Sequence, residues 1–550
     1  MRSGRPNRGA RDLGGSAAGQ RGLARPAAVM AVGTTVSRLT GLGRMAALAF
    51  ALGVAESRLA DSYNIANTLP NVIYELVIGG VLTSVFIPVL VEELHTRRHD
   101  EAWAAVSTMV ATSVTVLVLV TAVTVVLAPW IVRIFTLRVT GPDASEQQEL
   151  ATFFLRVFAP QIAFYGFAAI AGALLNAHNR FAVPMFAPIL NNLVVIGTLL
   201  LFAALVSGTP TNASVNANTG QKLLLALGTT GGVAVMALAH LPFLRELPGR
   251  LRARANFRHP AVRKLARLSM WTVVYVLINQ IGFAVSLYLA NQMQGGPTAY
   301  YTAFAFFQLP YGIAAVSIMT ALVPTLSARH VAGDDADFGA HVAGGLRATG
   351  LLLVPATAVY LVLSEPLIQT LLQHGVMRQN STELVAATLQ VFALGLLPFS
   401  AFVLFLRAFY ARQDARTPVV LTIVNNLVTV ILDFVLFPHL QVRGLALAHS
   451  LGYVAAATLA GVLLARRVGD LETRRTLVQL TKVAAASLLA AAAMLLSVEL
   501  VDRTLPPGGE RAFTQLVFGG IIGLTAFLFA AVLLRVEELK RFRPLLRRRQ

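Results

Sequence analysis

The chain has 550 residues, 56% of them hydrophobic and only 13% charged, and its mean hydropathy is +0.67. This composition excludes a string of soluble domains and a disordered chain, and it indicates an integral membrane protein. The absence of cysteine excludes disulfides, thiolate metal sites and a cysteine nucleophile. The 45 basic and 26 acidic residues give a formal net charge of +19, whose meaning depends on where the basic residues lie.

Apolar runs long enough to cross a membrane recur along the whole chain. A window of about 19 residues finds them at 27–54, 62–94, 103–132, 150–177, 182–207, 222–244, 268–293, 299–328, 342–364, 383–410, 417–438, 444–465, 477–501 and 512–535. The sequence therefore predicts an all-α integral membrane protein of about 14 transmembrane helices. No large soluble domain fits between them.

The basic residues lie mostly in short loops between these runs, without interleaved aromatic residues or a nucleic-acid-binding motif. An even number of spans puts both termini on one side. Assigning that side to the cytoplasm places most Lys and Arg residues inside, as membrane topology requires. The charge therefore predicts orientation, with both termini cytoplasmic, and excludes nucleic acid as a partner. The polar first 26 residues do not resemble a cleavable signal peptide.

Two halves of the chain are similar in sequence. A constant offset aligns Asn191-Asn192-Leu-Val with Asn425-Asn426-Leu-Val, and Pro184 with Pro418. Polar pairs at matching positions favour an internal repeat over chance similarity between apolar helices. We therefore predict two six-helix lobes related by a parallel repeat plus two C-terminal helices, an architecture typical of transporters.

The loops and the repeat together divide the chain into six segments. These are a basic cytoplasmic N-terminal tail (1–26), an N-lobe (27–244), a basic cytoplasmic linker (245–267), a C-lobe (268–466), two further helices (467–535) and a basic cytoplasmic C-terminal tail (536–550). The tails are most simply interpreted as anchors near anionic lipid.

The first apolar run contains Arg38 and Arg44, which bracket the middle of the membrane. A guanidinium facing lipid costs about 2.5–3.5 kcal/mol, so both side chains must face protein or a water-filled cavity. Glu75, at similar depth in the second run, is a candidate partner, and Asp61 lies near the outer start of that run. One carboxylate against two guanidiniums leaves a positive site suited to a phosphate. The alternative is that the arginines only pair with buried acids and hold helices together.

Two acids in the second half, Asp414 and Asp433, are candidates for binding a cation or proton that drives transport. Pairing of Asp414 with Arg412 or Arg416 is the alternative. The Asn pairs fit hydrogen bonds between helices better than ligand contacts.

Catalytic motifs are missing from the sequence. There is no Gly-rich phosphate loop, no His-Glu-x-x-His and no cluster of loop carboxylates. We therefore predict that the protein is not an enzyme and has no catalytic residue, metal site or cofactor.

Five segments resemble the MurJ/MviN family of lipid II flippases, within the multidrug/oligosaccharidyl-lipid/polysaccharide exporter superfamily. They are Val-Ser-Arg38-Leu-Thr-Gly-Leu-Gly-Arg44, Ala60-Asp61-Ser-Tyr-Asn-Ile-Ala-Asn-Thr-Leu-Pro70-Asn71, Gly79-Gly80-Val-Leu-Thr-Ser-Val-Phe-Ile-Pro88, Gln308-Leu-Pro310-Tyr-Gly312 and Phe409-Tyr-Ala-Arg-Gln-Asp-Ala-Arg-Thr-Pro418. The resemblance covers roughly residues 27 to 535.

The resemblance implies two lobes around a cationic cavity, a lipid-tail groove at the last two helices, and outward movement of a lipid-linked disaccharide-pentapeptide by alternating access. The resemblance and the charge pattern together suggest five substrate-binding residues: Arg38, Arg44, Asp61, Asn71 and Glu75. The suggested hinge or gate residues are Gly41, Gly43, Pro70, Gly79, Gly80, Pro310 and Gly312. Many members carry further basic residues where this chain has Val72 to Glu75, and an Arg where it has Phe304 and Ala305. We therefore expect a less positive cavity than is usual in the family.

A flippase of this kind would lie in the bacterial cytoplasmic membrane and contact membrane lipids. It would need no bound cofactor, and the membrane potential, Na⁺ or H⁺ are its candidate energy sources. Cell-wall synthesis or division proteins are candidate partners. Three other functions stay open from the sequence: a flippase for a polysaccharide precursor, a cation-coupled multidrug exporter, and a scaffold that does not transport.

Overall fold

The computed structural model describes residues 17–75, 99–178, 180–249 and 255–539. These residues form α-helices joined by short loops and contain no strand. The all-helical fold predicted from the hydropathy is therefore confirmed for the described ranges.

The first half of the chain contributes nine described helices. They are α1 (Ala17–Leu52), α2 (Leu59–Glu75), α3 (His99–Thr136), α4 (Pro142–Phe158), α5 (Gln161–Ala177), α6 (Ala182–Leu205), α7 (Asn212–Ala217), α8 (Thr219–Leu238) and α9 (Leu241–Arg245).

The second half and the C-terminal region contribute the remaining helices of the described chain. They are α10 (Pro260–Ala290), α11 (Gly296–Pro310), a π-helical segment (Tyr311–Ala315), α12 (Val316–Val331), α13 (Asp335–Leu372), α14 (Gln379–Leu394), α15 (Leu396–Ala411), α16 (Arg416–Leu440), α17 (Val442–Val468), α18 (Thr473–Thr504) and α19 (Gly509–Leu533).

Proline and glycine mark several helix starts. Gly141, with φ of 90°, precedes α4, whose first residue is Pro142. Gly295, with φ of 77°, precedes α11, whose second residue is Pro297. Proline suits the first turn because its missing N–H would have no partner there, and glycine adopts positive φ without strain.

Within the described ranges, ten helical segments are long and apolar enough to cross a membrane, or eleven if the pair α14–α15, bent by 47°, counts as one span. The predicted runs at 27–54, 62–94 and 268–293 are not among them, and residues 76–98 lie outside the described ranges. The count of about 14 therefore stays a prediction, whereas the multi-pass character of the chain is clear.

Matching contacts in the two halves support the predicted repeat. In the first half, Asn192 of α6 donates hydrogen bonds to Thr40 Oγ1 (3.0 Å) and Ser37 O (3.3 Å) of α1. In the second half, Asn426 of α16 donates to Asn279 Oδ1 of α10 (3.3 Å). These bonds between helices agree with the role predicted for the Asn pairs, and they make α1 and α10 equivalent members of the two halves.

The neighbouring asparagines repeat the pattern on the other side of the same helices. A Cβ on Gly232 of α8 would lie 2.6 Å from Asn191 Oδ1, and a Cβ on Gly452 of α17 would lie 3.3 Å from Asn425 Oδ1. Each glycine therefore allows a third helix to approach its Asn pair closely.

The last two helices are held to the second half by a buried ion cluster. Arg347 of α13 is 3% exposed, and its guanidinium lies 2.7 Å from Glu472 and 3.0 Å from Glu538. Apolar residues of α13, α18 and α19 form a common core beside it, among them Leu351, Val483 and Phe527. These contacts fix α18 and α19 against α13.

Candidate functional site

A cavity of about 520 Å³ lies between the two halves. Thr68 and Asn71 of α2 line one side, and side chains of α10, α11, α16 and α17 line the other. No Asp, Glu, Lys or Arg is among its described lining residues. The described lining of this main cavity is therefore polar and carries no carboxylate, guanidinium or ammonium group. The expectation of a less positive cavity stays a prediction, because the side chains of residues 73–75 lie outside the described part of the structure.

Arg38 lies against the π-helical segment that follows α11. A Cβ on Gly312 would lie 2.7 Å from Arg38 Cζ and closer still to Nη1, so the guanidinium occupies the space that a side chain at 312 would need. The side chain of Arg38 is exposed. Gln308, one helical turn before Gly312, lines the main cavity, which places Arg38 beside that cavity. The sequence predicted roles for both residues, and the structure brings them together.

Arg44 lines a second, small cavity of about 30 Å³ together with Asn64 and Asn67 of α2 and Tyr301 of α11. Tyr301 also lines the main cavity. The two arginines lie about 9 Å apart along α1, and neither is among the described lining residues of the main cavity. Arg38 approaches it through Gly312, one helical turn after Gln308, and Arg44 through Tyr301, which lines both cavities.

Neither arginine has a salt-bridge partner among the described side chains. Glu75, the predicted partner, is the last residue of α2, and its side chain lies outside the described part of the structure. With respect to the described side chains, the N–H donors of the two guanidiniums therefore remain available to a ligand or to water.

One end of the molecule is closed by hydrogen bonds between the halves. We call this the closed end and define it as residues 53–61, 291–298 and 374–381. At its centre, Glu56 accepts hydrogen bonds from the backbone N–H of Val54 (2.7 Å) and Arg378 (2.7 Å) and from Ser381 Oγ (2.7 Å). One carboxylate thus joins the loop after α1 to the loop before α14.

Asp61 makes the second bridge of the closed end. Its fully buried carboxylate accepts hydrogen bonds from the N–H of Gly295 (2.7 Å) and from the N–H and hydroxyl of Thr298 (3.2 and 2.7 Å). The carboxylate accepts from N–H groups at the start of α11 that have no partner within the helix. Its negative charge also interacts favourably with the positive end of the helix dipole. Asp61, predicted to bind substrate, lines neither of the two cavities described above.

The predicted hinge residues lie in different surroundings. α1 runs unbroken past Gly41 and Gly43, where Cβ atoms would make ordinary contacts with Asn192 (3.8 Å) and Ile196 (3.5 Å) of α6. Pro70 lies inside α2, and Pro310 ends α11 where the π-helical segment begins. A π-helical turn after a proline locally widens the helix. Gly79 and Gly80 lie outside the described residues.

The two candidate coupling acids differ sharply. Asp433 of α16 is fully buried, accepts a hydrogen bond from Ser286 Oγ of α10 (2.6 Å), and leaves its Oδ1 without a partner. Asp414 lies in the loop before α16, where it pairs with Arg467 and accepts bonds from Arg416 N and Thr417 N (both 3.0 Å). Arg412, in contrast, pairs with Asp335.

The surroundings of Asp414 also set its titration. Partial burial raises the pKa of this carboxyl, but hydrogen bonds from Thr417, Arg467 and Arg416 outweigh that effect and lower the pKa to about 2. Asp414 therefore stays ionised near neutral pH.

Several lining residues were not singled out from the sequence. Asn279, Gln280, Gln308, Tyr301, His449 and Tyr453 all line the main cavity. The adjacent amides Asn279-Gln280 inside an apolar run were a usable signal, because such groups rarely face lipid. Glu56 gave no such signal, since its partners at 378 and 381 are distant in sequence.

A model of the family described as "Lipid II flippase MurJ" matches residues 48–508 of the chain. A protein of Vibrio cholerae named "Probable lipid II flippase MurJ" is 28% identical over 519 residues, 92% of this chain and 95% of the relative. A Burkholderia cenocepacia protein named "Lipid II flippase MurJ" is 28% identical over 425 residues, 76% of this chain and 79% of the relative.

Solved structures show the same fold. The structure titled "Lipid II flippase MurJ, inward closed conformation" matches with a TM-score of 0.74 at 21% identity, over 94% of this chain and 99% of that one. An inward-facing multidrug resistance MATE transporter of the MOP superfamily matches with a TM-score of 0.62 at 13% identity, over 79% of this chain and 96% of that one.

Proposed function

The chain belongs to the lipid II flippase MurJ family, and from that premise we propose that it moves the undecaprenyl-pyrophosphate-linked peptidoglycan precursor, lipid II, from the inner to the outer leaflet for cell-wall synthesis. The observation that carries the proposal is the pair Arg38 and Arg44, which lie beside a cavity between two lobes without a described acidic partner.

The two arginines suit a pyrophosphate. A guanidinium stays charged at all physiological pH values and binds phosphate oxygens through two parallel N–H bonds. Burying a charged side chain at this depth in a membrane is costly, so such side chains occur mostly in ligand pathways or in pairs of opposite charge. Gly312 leaves room for the Arg38 guanidinium beside the cavity, so the ligand's phosphates would lie between α1 and α11.

Alternating access would use the closed end as a gate. The positive-inside distribution of Lys and Arg favours a position of the closed end on the outer side of the bacterial cytoplasmic membrane, with both termini in the cytoplasm. Release outward then requires that the hydrogen bonds of Glu56 and Asp61 break. The π-helical turn at Tyr311–Ala315 and Pro70 supply places where helices could bend.

Coupling to an ion is assigned to Asp433 rather than to Asp414. Asp433 has a buried oxygen without a partner, and its hydrogen-bond partner Ser286 lines the main cavity. A cation or a proton would satisfy that oxygen. Asp414 already has several partners in a loop. Na⁺, H⁺ and the membrane potential are the candidate energy sources.

Complementation tests this function. Cells depleted of their own lipid II flippase receive the wild-type chain, Arg38→Ala, or the matched control Arg503→Ala, whose guanidinium lies on the surface beside Glu499. We expect wild type and the control to restore growth and lipid II exposure on the outer leaflet, and Arg38→Ala to fail at equal expression. Failure of the wild type would instead favour a related polysaccharide-precursor flippase or a drug exporter.

A further inference from the structure

The wall that the second half contributes to the main cavity is made of amides and aromatic rings. Gln280 of α10 and Gln308 of α11 line it, and their side-chain amides make no hydrogen bond to another described residue. Tyr301 and Phe304 lie beside them on α11. Two free amides, each with donors and an acceptor, therefore face the cavity next to two rings.

The internal repeat relates this wall to the arginine helix. Gly41 of α1 faces Asn192, and Gly282 of α10 faces Asn426, because a Cβ on either glycine would contact or overlap that amide. With these glycines superposed, Arg38 of α1 corresponds to Asn279 of α10, and Asn279 lines the main cavity. The second half thus has a neutral amide at the position where the first half has a guanidinium.

The two kinds of wall fit different parts of one ligand. Guanidiniums bind phosphate oxygens, whereas neutral amides with adjacent aromatic rings exchange hydrogen bonds with uncharged hydroxyl and amide groups and pack against apolar faces. N-Acetylated sugars present all of these groups. A cavity of about 520 Å³ falls within the range of about 300–1,000 Å³ usual for small-molecule sites.

We propose that Gln280, Gln308 and Tyr301 form a saccharide subsite that binds the sugar attached to the lipid pyrophosphate. This inference rests on the proposed function and refines it. The sugar is bonded directly to the pyrophosphate, so it must lie within a few ångströms of Arg38 and Arg44. Tyr301 lines both the main cavity and the small cavity at Arg44, which is where the phosphate and sugar would meet.

Binding of two probes to the purified full chain tests the subsite. One probe is undecaprenyl pyrophosphate, and the other is undecaprenyl pyrophosphate that carries a single N-acetylglucosamine and no peptide. The variant Gln280→Met/Gln308→Met keeps the side-chain length and removes the hydrogen-bonding groups. Gln148→Met is the matched control, since Gln148 lies on α4 outside the described cavities.

We expect the double variant to bind the sugar-bearing probe about tenfold more weakly, the loss usual for one or two hydrogen bonds to a neutral group. Its affinity for the probe without sugar should stay at the wild-type value, which also shows that the variant is folded. Arg38→Ala should weaken the binding of both probes. The subsite would be overturned if the double variant bound both probes more weakly by the same factor, or if it bound both with wild-type affinity. A wild type that binds neither probe would contradict the proposed function instead.

Discussion

The two halves of this protein share a scaffold and differ in the chemistry they present to the cavity between them. In each half, an Asn pair on one helix contacts a second helix, and a glycine lets a third approach. Yet α1 carries Arg38 and Arg44, whereas the wall from the second half has amides and rings and no described charge. The two halves thus share packing residues and differ in the residues that lie beside the cavity.

This difference explains how a site can bind a charged and an uncharged group at once. Packing positions are constrained by close contacts, because a Cβ or a lost amide there would create overlap or an unpaired polar group. Cavity positions are free of those constraints. Charge can therefore be concentrated on one half, where a pyrophosphate would bind, without placing like charges opposite each other.

The closed end, where the halves meet, allows the strongest test of their relative motion. The chain has no cysteine, so Ala55→Cys/Ser381→Cys introduces a pair without background; Ala55 N and Ser381 Oγ are 2.9 Å apart. We expect oxidation to stop transport almost completely, because the halves can no longer separate at this end. Transport assayed before and after oxidation measures the effect.

Two controls define the cross-linking result. Reduction of the disulfide should restore transport, and each single cysteine variant should be insensitive to oxidant. Full transport with a formed disulfide would show that this end does not open.

Exchanging the equivalent residues of the halves tests whether the charge must lie on α1. We expect Arg38→Asn to lower transport about 10- to 100-fold, the loss of one or two charge-assisted hydrogen bonds. Adding Asn279→Arg should not restore it, because that guanidinium would lie on the opposite wall. The measurement is lipid II exposure at equal expression. Recovery in the double variant would mean that only the total charge matters.

The contact between Arg38 and Gly312 is where the two halves touch beside the cavity. We expect Gly312→Ala to lower transport about tenfold, less than loss of Arg38, since the guanidinium is displaced but still present. The same transport assay measures this. Gly520→Ala, at a helix position with open space, is the control and should have no effect; equal activity of the two variants would contradict the contact.

Asp414 should have the smallest effect, in contrast to the buried Asp433. Its pKa of about 2 lies below the ordinary 3.8, so its ionised form stabilises the folded state above about pH 4, and that contribution disappears as the pH falls toward 2. We expect Asp414→Asn to leave transport unchanged within about twofold. It should lower the free energy of unfolding by less than about 1 kcal/mol at pH 7.

Thermal unfolding in detergent at pH 7 and pH 3 checks the contribution of Asp414. The difference between wild type and Asp414→Asn should shrink at the lower pH. In the transport assay, Asp433→Asn should cause a clear loss. If Asp414→Asn abolished transport and Asp433→Asn did not, the assignment of coupling would be reversed.

Some of the candidate site residues were predictable because placing a charged or polar side chain in a membrane is costly, and that cost can be read from a few neighbouring residues. Arg38 and Arg44 interrupt an apolar run, and Asn pairs recur at matching positions, so burial of such groups in a membrane required a cavity or partner. Asp61 was predicted to bind substrate, but its contacts with Gly295 and Thr298 at the start of α11 could not be foreseen. Those contacts join residues more than 230 positions apart.

Hydropathy and unpaired charge act over a few residues, so the amino-acid pattern was enough to predict a helical membrane protein, an internal repeat and the arginines of α1. The packing of the helices was needed to learn which residues surround the main cavity and which close one end. Arg38 meets Gly312, Glu56 meets Ser381, and Gln280 and Gln308 share a wall. Such meetings depend on how helices pack against each other, and short hydrophobic patterns carry no information about partners that distant along the chain.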